Sequence, residues 1–136
     1  MSLVIDSSLT LTWYFPDEAN AATDALLRQV SQTGAVVPLH WHAEVANALQ
    51  TAVRRKRIDP AYRDTALSEL THFDIVSDPD TNTHIWDATV KLADLYGLTI
   101  YDAAYLELSQ RRRLPLATLD AALVSAAKAA GVAVLP

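Results

Sequence analysis

Cysteine is missing from this chain of 136 residues, and glycine occurs only three times. Without thiols the chain can form neither a disulfide nor a thiolate metal site, so any metal must be held by oxygen or imidazole. The scarcity of glycine excludes fibrous and low-complexity classes. Because 51% of the residues are hydrophobic, the chain can bury a core. We therefore expect a single domain spanning residues 1–136.

Long apolar runs are also missing. The first run, Leu3-Val4-Ile5, stops at Asp6 and is too short for the hydrophobic region of a signal peptide. No uncharged apolar stretch is long enough to span a bilayer. Together with the lack of cysteine, these absences predict a cytoplasmic protein with no membrane partner.

An excess of positive charge is missing as well, because the net charge is −5. Seven of the 11 basic residues nevertheless lie in two runs, Arg54-Arg55-Lys56-Arg57 and Arg111-Arg112-Arg113. Each run could be a solvated helix end that complements the helix dipole, or a contact for RNA phosphates. We favour Arg111, Arg112 and Arg113 as the RNA contact, because their helix begins at Asp102.

Short apolar runs alternate with helical patterns along the chain. The predicted strands are Leu3–Asp6, Ala35–Val37, Phe73–Val76, Leu114–Thr118 and Val132–Leu135, and the predicted helices include Ala19–Gln32, Trp41–Val53, Ile85–Tyr96 and Ala122–Ala130. This alternation predicts an α/β fold with a parallel sheet and helices on both faces.

Three aspartates lie at the ends of predicted strands or the beginnings of helices. Asp6 ends the first strand, Asp120 closely follows the fourth, and Asp102 begins a helix. Aspartate is a preferred helix N-cap, so each has a purely structural interpretation. Ligands in parallel sheets bind beyond the carboxyl ends of the strands, so the same positions predict a shared site.

Glu44 lies inside the predicted helix Trp41–Val53, between the apolar positions Trp41 and Ala48. A carboxylate near the buried face of a helix is costly unless it is paired, hydrogen-bonded or bound to a metal. Asn47, one turn further along, could hydrogen-bond it. The alternative is a glutamate at the edge of the apolar stripe whose carboxylate reaches water.

Four converging carboxylates would repel one another unless divalent cations neutralised them. All-oxygen ligands favour Mg²⁺ or Mn²⁺ over zinc. Such carboxylate-bound ions typically serve phosphoryl transfer, in which a metal-activated water attacks and the departing oxygen is stabilised.

Each of the four acidic residues lies in a short motif. In chain order the motifs are Val4-Ile5-Asp6-Ser7-Ser8, Glu44-Val45-Ala46-Asn47-Ala48-Leu49, Tyr101-Asp102-Ala103-Ala104-Tyr105 and Leu116-Ala117-Thr118-Leu119-Asp120. In sequence and spacing they resemble the PIN-domain VapC toxins, and the similarity extends from Leu3 to Leu135. The sequence departs from many relatives at Arg112-Arg113, where they carry glycine, and at Ala121, where they carry a basic residue.

The resemblance implies a three-layer α/β/α sandwich and a toxin of a type II toxin–antitoxin system. It implies a metal-dependent endoribonuclease in which Asp6, Glu44, Asp102 and Asp120 bind Mg²⁺ or Mn²⁺. Ser8, Asn47 and Thr118 would support these ligands. The partners would be RNA, a VapB-type antitoxin and a second copy of the chain.

Two alternatives remain for the function. A haloacid-dehalogenase phosphatase would carry a second aspartate where Ser8 stands, which makes that class a poor match. A catalytically silent PIN-like module that binds RNA or protein would usually have lost part of the acidic quartet.

The remaining histidines and aromatic residues receive no catalytic role. His40 and His42 flank Trp41 near Glu44, but a histidine at a helix start more often caps or packs. The cluster Trp13-Tyr14-Phe15 could stack on bases or belong to the core. We expect it to form a partner or dimer surface.

Overall fold

The computed structural model describes residues 3–136. Five short strands form one sheet: Val4–Ile5 (β1), Ala35–Val37 (β2), Ile75–Ser77 (β3), Leu116–Ala117 (β4) and Val134–Leu135 (β5). The strands are all parallel and lie in the order β3-β2-β1-β4-β5. The predicted parallel sheet is confirmed, although most strands are shorter than their apolar runs.

The helices connect these strands. They are Ser7–Thr12 (α1), Ala21–Thr33 (α2), Trp41–Arg54 (α3), Pro60–Leu70 (α4), Thr81–His84 (α5), Val90–Tyr96 (α6), Ile100–Arg112 (α7) and Ala121–Ala129 (α8). A π-helical turn, Ile85–Thr89, joins α5 directly to α6. Within residues 3–136 we find no helix with the length and apolar composition needed to cross a lipid bilayer.

The strand order explains the three layers. The chain moves from β1 to β2 to β3 in one direction, then returns to β4 and continues to β5 in the other. Because parallel crossovers are right-handed, α1–α4 cover one face and α5–α8 cover the other. The contacts agree, since α3 packs on α1 and α4, whereas α7 packs on α5, α6 and α8. The expected α/β/α sandwich is confirmed.

Helix α4 was not among the predicted helices. Its buried residues are few, Ala66 and Leu70, so its apolar periodicity is weak. The signal that marks it is local: Asp59 accepts a hydrogen bond from the Tyr62 N–H at 2.8 Å, and Pro60 occupies the first helical turn. An aspartate followed by proline is a favourable start for a helix.

The aromatic cluster that follows α1 belongs to the core. Tyr14 and Phe15 are 6% and 5% exposed, and Trp13 packs against the core from its edge. The indole of Trp13 donates a hydrogen bond to the Thr23 carbonyl oxygen at 3.0 Å, and its ring lies 6.3 Å from that of Phe73. The prediction of a partner or dimer surface here is wrong, because these rings pack inside the domain.

A buried ion-pair network holds α7 to the end of β3. Arg111 Nη2 lies 2.6 Å from Asp78 Oδ2, and Arg111 Nε lies 2.8 Å from Glu107 Oε2. Arg112 adds a longer contact, 3.4 Å, to Asp78 Oδ1. Burial favours the neutral acid, but the hydrogen bonds and charge of Arg111 hold the pKa of Asp78 below its usual range. The network therefore neutralises a fully buried carboxylate.

This network bears on the RNA contact expected at Arg111, Arg112 and Arg113. Arg111 lies nine residues after Asp102 on the same helix, about 14 Å along its axis. Arg111 and Arg112 are both engaged by Asp78, whereas Arg113 is exposed and caps α7 in a left-handed conformation. The RNA contact of this run stays a prediction, and the pairing of Arg111 argues against it.

Replacing Arg111 by alanine should lower the free energy of unfolding by about 3 kcal/mol or more at pH 7, because Asp78 and Glu107 would remain buried without their partner. The pKa of Asp78 is lowered in the folded state, so the contribution of the pair is present above about pH 4 and is lost as the pH falls further. The measurement is urea unfolding at pH 7 and at pH 3.

The matched control is Arg113→Asn, since asparagine accepts the left-handed backbone of this position. It should change the free energy of unfolding by less than about 0.5 kcal/mol. Equal effects of the two substitutions at pH 7 would contradict a stabilising role for the Arg111 network.

Candidate active site

Asp6 lies at the point where the strand order of the sheet reverses. It follows β1 directly, and its N–H donates to the Ala117 carbonyl oxygen of β4 at 3.1 Å. The connections that follow these two neighbouring strands leave in opposite directions. The loops therefore separate and open a crevice, which is where α/β sheets bind their ligands.

The carboxylate of Asp6 is 3% exposed and is held by neutral donors. Its Oδ1 accepts hydrogen bonds from Ser8 Oγ at 2.8 Å and from the Leu9 N–H at 2.9 Å, and its Oδ2 accepts one from the Thr118 hydroxyl. Burial raises the pKa of Asp6 from 3.8 to about 6, against the effect of these hydrogen bonds. The negative charge of Asp102 adds to the increase.

Two hydroxyl groups tie the loop after β1 to the loop after β4. Ser8 Oγ accepts from the Leu119 N–H at 3.2 Å, and Thr118 Oγ1 accepts from the Asp120 N–H at 3.1 Å. Both hydroxyls also donate to Asp6. Ser8 and Thr118 thus lie beside the acidic residues, where the family resemblance places them.

Asp120 and Asp102 both lie at the starts of helices near Asp6, although α7 begins two residues before Asp102, at Ile100. Asp120 is the N-cap of α8, and its Oδ1 accepts from the Leu123 N–H at 2.8 Å. Asp102 lies in the first turn of α7, which is capped by Thr99. Burial, followed by the charges of Asp120 and Glu44, raises the pKa of Asp102. The structural role of Asp120 as a cap and its place in the acidic group are therefore compatible.

Glu44 reaches the same crevice from α3, and its side chain is 29% exposed. Its Oε1 accepts a hydrogen bond of 2.5 Å from the hydroxyl of Tyr105, which is itself 1% exposed. The imidazole Nε2 of His40 lies 3.8 Å from the same oxygen. Asn47, which the sequence suggested as the partner of Glu44, is exposed. Tyr105 takes the role that was expected of the asparagine.

The carboxylates of Asp6, Glu44, Asp102 and Asp120 lie near one another, but they are not arranged as the ligands of a single metal ion. Within residues 3–136, no three Asp, Glu or His side chains are close enough together to hold a metal ion as they stand. The chemistry of the group nevertheless fits a divalent cation. Its donors are carboxylate oxygens, which hard cations prefer, and Asp6 carries a buried charge whose hydrogen-bond donors are all neutral.

Comparison with known proteins identifies the family of this chain. The PIN domain family matches residues 3–129. The chain belongs to this family. A curated relative, Ribonuclease VapC3 of Pyrobaculum aerophilum, is 32% identical over 121 residues, which are 88% of this chain and 90% of the relative. The fold described above is therefore that of a PIN domain, and the role of the acidic residues as metal ligands stays a prediction.

Solved structures of low sequence identity share the fold. The crystal structure of PAE2754 from Pyrobaculum aerophilum has a TM-score of 0.70 at 23% identity, covering 98% of this chain and 90% of that one. FitAcB from Neisseria gonorrhoeae has a TM-score of 0.68 at 17% identity, covering 98% and 96%. A toxin–antitoxin complex from Klebsiella pneumoniae has a TM-score of 0.60 at 18% identity, covering 88% and 87%.

Two residues of this PIN domain were not assigned to the site from the sequence. Tyr105 lies three residues after Asp102, so both project from the same face of α7. His40 lies four residues before Glu44, and its ring sits 5.3 Å from that of Tyr105 and 5.6 Å from that of Tyr101. The helical spacing was the available signal in both cases. His42 instead packs edge-on against Trp41.

Replacing Asp6 by asparagine should stabilise the metal-free PIN domain at neutral pH. Because the folded-state pKa of Asp6 lies above 3.8, its carboxyl stabilises the fold below about pH 4 and loses that contribution as the pH rises through 6. The difference corresponds to at most about 3 kcal/mol. Urea unfolding in EDTA should therefore show Asp6→Asn more stable than wild type at pH 7.5, with the gap closing near pH 4.

Asp24→Asn is the control, since Asp24 is an exposed carboxylate on α2. It should change the free energy of unfolding by less than about 0.5 kcal/mol across this pH range. A destabilised Asp6→Asn variant at pH 7.5 would show that the carboxylate is favourable in the fold without metal.

Proposed function

We propose that this chain is a divalent-metal-dependent endoribonuclease, the toxin of a type II toxin–antitoxin pair, with Mg²⁺ or Mn²⁺ as its ion. Asp6, Glu44, Asp102 and Asp120 are the proposed ligands, supported by Ser8 and Thr118. The relative named Ribonuclease VapC3, which shares 32% of its residues over most of both chains, supports RNA as the substrate.

The observation that carries the proposal is the buried carboxylate of Asp6 beside other acidic groups. Ion pairs neutralise the comparable buried carboxylate of Asp78, whereas neutral hydroxyl and amide groups surround Asp6. A charge in such a place is expensive unless a cation compensates it. A divalent ion would supply that compensation.

The contacts of Asp6 and Glu44 indicate how these two residues act in the proposed hydrolysis. The four carboxylates would hold a divalent ion, which when bound would supply an activated water and stabilise the departing oxygen of the phosphodiester. Asp6 is fixed by Ser8, Leu9 and Thr118, so its orientation is set before substrate arrives. Tyr105 occupies Oε1 of Glu44 and leaves the second carboxylate oxygen available. We expect products with a 5′-phosphate and a 3′-hydroxyl.

A protein partner belongs to the same proposal. The similar structures include one described as a toxin–antitoxin complex, which supports a VapB-type antitoxin as the partner of this chain. Trp86 and Leu95, on the π-helical turn and α6, are 92% and 71% exposed. These two side chains are candidates for the contact with that partner, which a contiguous apolar patch would favour. The homodimer expected from the resemblance stays a prediction.

The alternative is a silent PIN-like module that binds RNA or protein without cleaving. All four acidic residues are present, and the charge of Asp102 acts on Asp6 while the charges of Asp120 and Glu44 act on Asp102, which supports the enzyme. A module without catalysis would have no need to keep Asp6 charged and buried. The two functions differ in a direct test of RNA cleavage.

The protein, purified free of antitoxin, should cleave a mixed RNA pool in the presence of Mg²⁺ or Mn²⁺. EDTA should abolish the cleavage, and Asp6→Asn should reduce its rate by at least about 10²-fold, because the substitution removes a proposed ligand charge. Asp24→Asn is the matched control and should retain the wild-type rate.

Calorimetric titration with Mn²⁺ gives a second readout that does not depend on finding the preferred RNA. Wild type and Asp24→Asn should bind the ion, and Asp6→Asn should bind it weakly or not at all. Cleavage that survives Asp6→Asn would place the active site elsewhere. Wild-type protein that neither binds Mn²⁺ nor cleaves RNA would instead support the silent module.

Replacing Tyr105 by phenylalanine should weaken Mn²⁺ binding by about tenfold, since groups that orient a metal ligand typically contribute 10–100-fold in affinity. The substitution removes only the hydroxyl that donates to Glu44. Titration calorimetry without RNA measures the effect, and Tyr101→Phe is the control because Tyr101 is 61% exposed on the same helix. Equal affinities in the two variants would exclude a positioning role for Tyr105.

A further inference from the structure

A groove of about 510 Å³ connects the candidate active site with a basic side chain. Ser8 and Asp120 form part of its wall, and so does Arg57, from the loop between α3 and α4. Leu11 and Leu119 give the groove an apolar surface, and Leu119 is 45% exposed. If the scissile phosphate of a nucleic acid lies at the carboxylates, the rest of the strand can follow this groove. The guanidinium of Arg57 then lies beside the strand.

The end of α3 directs Arg57 towards this groove. Lys56 adopts a left-handed conformation with φ 60°, and the Arg57 N–H donates to the Ala52 carbonyl oxygen at 2.9 Å. This turn stops the helix and reverses the chain, as left-handed C-terminal caps do. The position of Arg57 is therefore set by the backbone and does not depend on a long flexible loop.

The guanidinium of Arg57 is oriented by two neighbouring groups. Its central carbon lies 4.1 Å from the centre of the Phe15 ring, which is a cation–π geometry. Its Nη2 lies 2.7 Å from Asp17 Oδ1 and 3.4 Å from Glu18 Oε2. Every hydrogen bond that the Arg57 side chain makes within residues 3–136 uses Nη2. The Nε and Nη1 groups are therefore available to a further acceptor.

The partners of Arg57 are solvated, unlike those of Arg111. The side chains of Asp17 and Arg57 are 72% and 43% exposed, whereas that of Asp78 beside Arg111 is fully buried. Exposed ion pairs contribute little and exchange readily. An incoming phosphate can therefore compete for Arg57, and it cannot compete for Arg111 without leaving a buried carboxylate unpaired.

We infer that Arg57 binds a backbone phosphate of the RNA strand next to the nucleotide that is cleaved, and that the groove bearing Ser8, Leu119 and Arg57 is the path of that strand. The inference rests on the proposed function. A single strand is the ligand that matches, because it combines phosphates for the guanidinium with base faces for an apolar wall. Of the two basic runs, the one that ends at Arg57 therefore makes the contact.

The test compares Arg57→Gln with Arg28→Gln, which removes another exposed arginine, on α2. The probe is a fluorescein-labelled random 12-nucleotide single-stranded RNA, and its anisotropy is followed in EDTA so that it stays intact. Arg57→Gln should weaken binding by about five- to tenfold, the loss of one charge-assisted hydrogen-bonded contact. It should also reduce the slope of log affinity against log salt by about 0.7.

Cleavage of the mixed RNA pool in Mn²⁺ gives the second readout. Arg57→Gln should raise KM by a similar factor and change kcat by less than about twofold, because the residue contributes binding shared by ground state and transition state. Arg28→Gln should alter neither the affinity nor KM by more than about twofold.

Equal effects of the two substitutions, with wild-type protein still cleaving RNA, would overturn this inference and leave the proposed function intact. A loss of kcat at unchanged KM in Arg57→Gln would also overturn it. Wild-type protein that neither binds nor cleaves RNA would overturn the proposed function itself, and the contact with it.

Discussion

The hydrogen bonds of the Asp6 carboxylate join three parts of the chain at the point where the sheet reverses direction. One oxygen caps α1 through the Leu9 N–H, and the other accepts from Thr118 after β4. The cap holds the start of α1, and the Thr118 bond joins the residue after β1 to the loop after β4. A protonated or neutral side chain could make similar hydrogen bonds, so the charge is not needed for the fold. The proposed metal site would account for the charge.

A second buried carboxylate, Asp78, shows what the protein does when an acid serves the structure. Arg111 and Arg112 contact it directly, and the pair fastens the last turns of α7 to the end of β3. The first turn of the same helix carries Asp102, and the second carries Tyr105. Asp78, which is neutralised by arginine, therefore helps to position α7. This helix carries Asp102 towards the other acidic residues, which have no cationic partner of this kind. Asp78 has arginine neighbours, whereas the hydrogen-bond donors of Asp6 are neutral. This difference is what we expect between a structural carboxylate and a proposed metal ligand.

The sequence predicted the parallel sheet well, because short apolar runs are local features, and the structure brings the four acidic residues of the predicted site near one another. Their role as metal ligands stays a prediction. The sequence did not predict α4, whose apolar periodicity is weak. It misplaced Trp13, Tyr14 and Phe15 on the surface, because an aromatic cluster looks the same in a core and at an interface. Its preference for the run Arg111–Arg113 over Arg54–Arg57 as the RNA contact stays a prediction, against which the pairing of Arg111 with Asp78 argues. The partners of an arginine lie far along the chain (Asp78 for Arg111, Asp17 for Arg57), and neither hydropathy nor spacing reveals them.

The charge distribution reconciles an acidic protein with a nucleic-acid substrate. The net charge of −5 and the crowded carboxylates would repel a phosphodiester from the crevice. A divalent ion at the carboxylates would reverse that repulsion locally, so binding of the scissile phosphate and binding of metal should be coupled. Arg57 lies outside the acidic group and attracts the strand in either state. Few basic residues are therefore needed to bind RNA. Their acidic partners must be exposed, so that a phosphate can take the place of the acid.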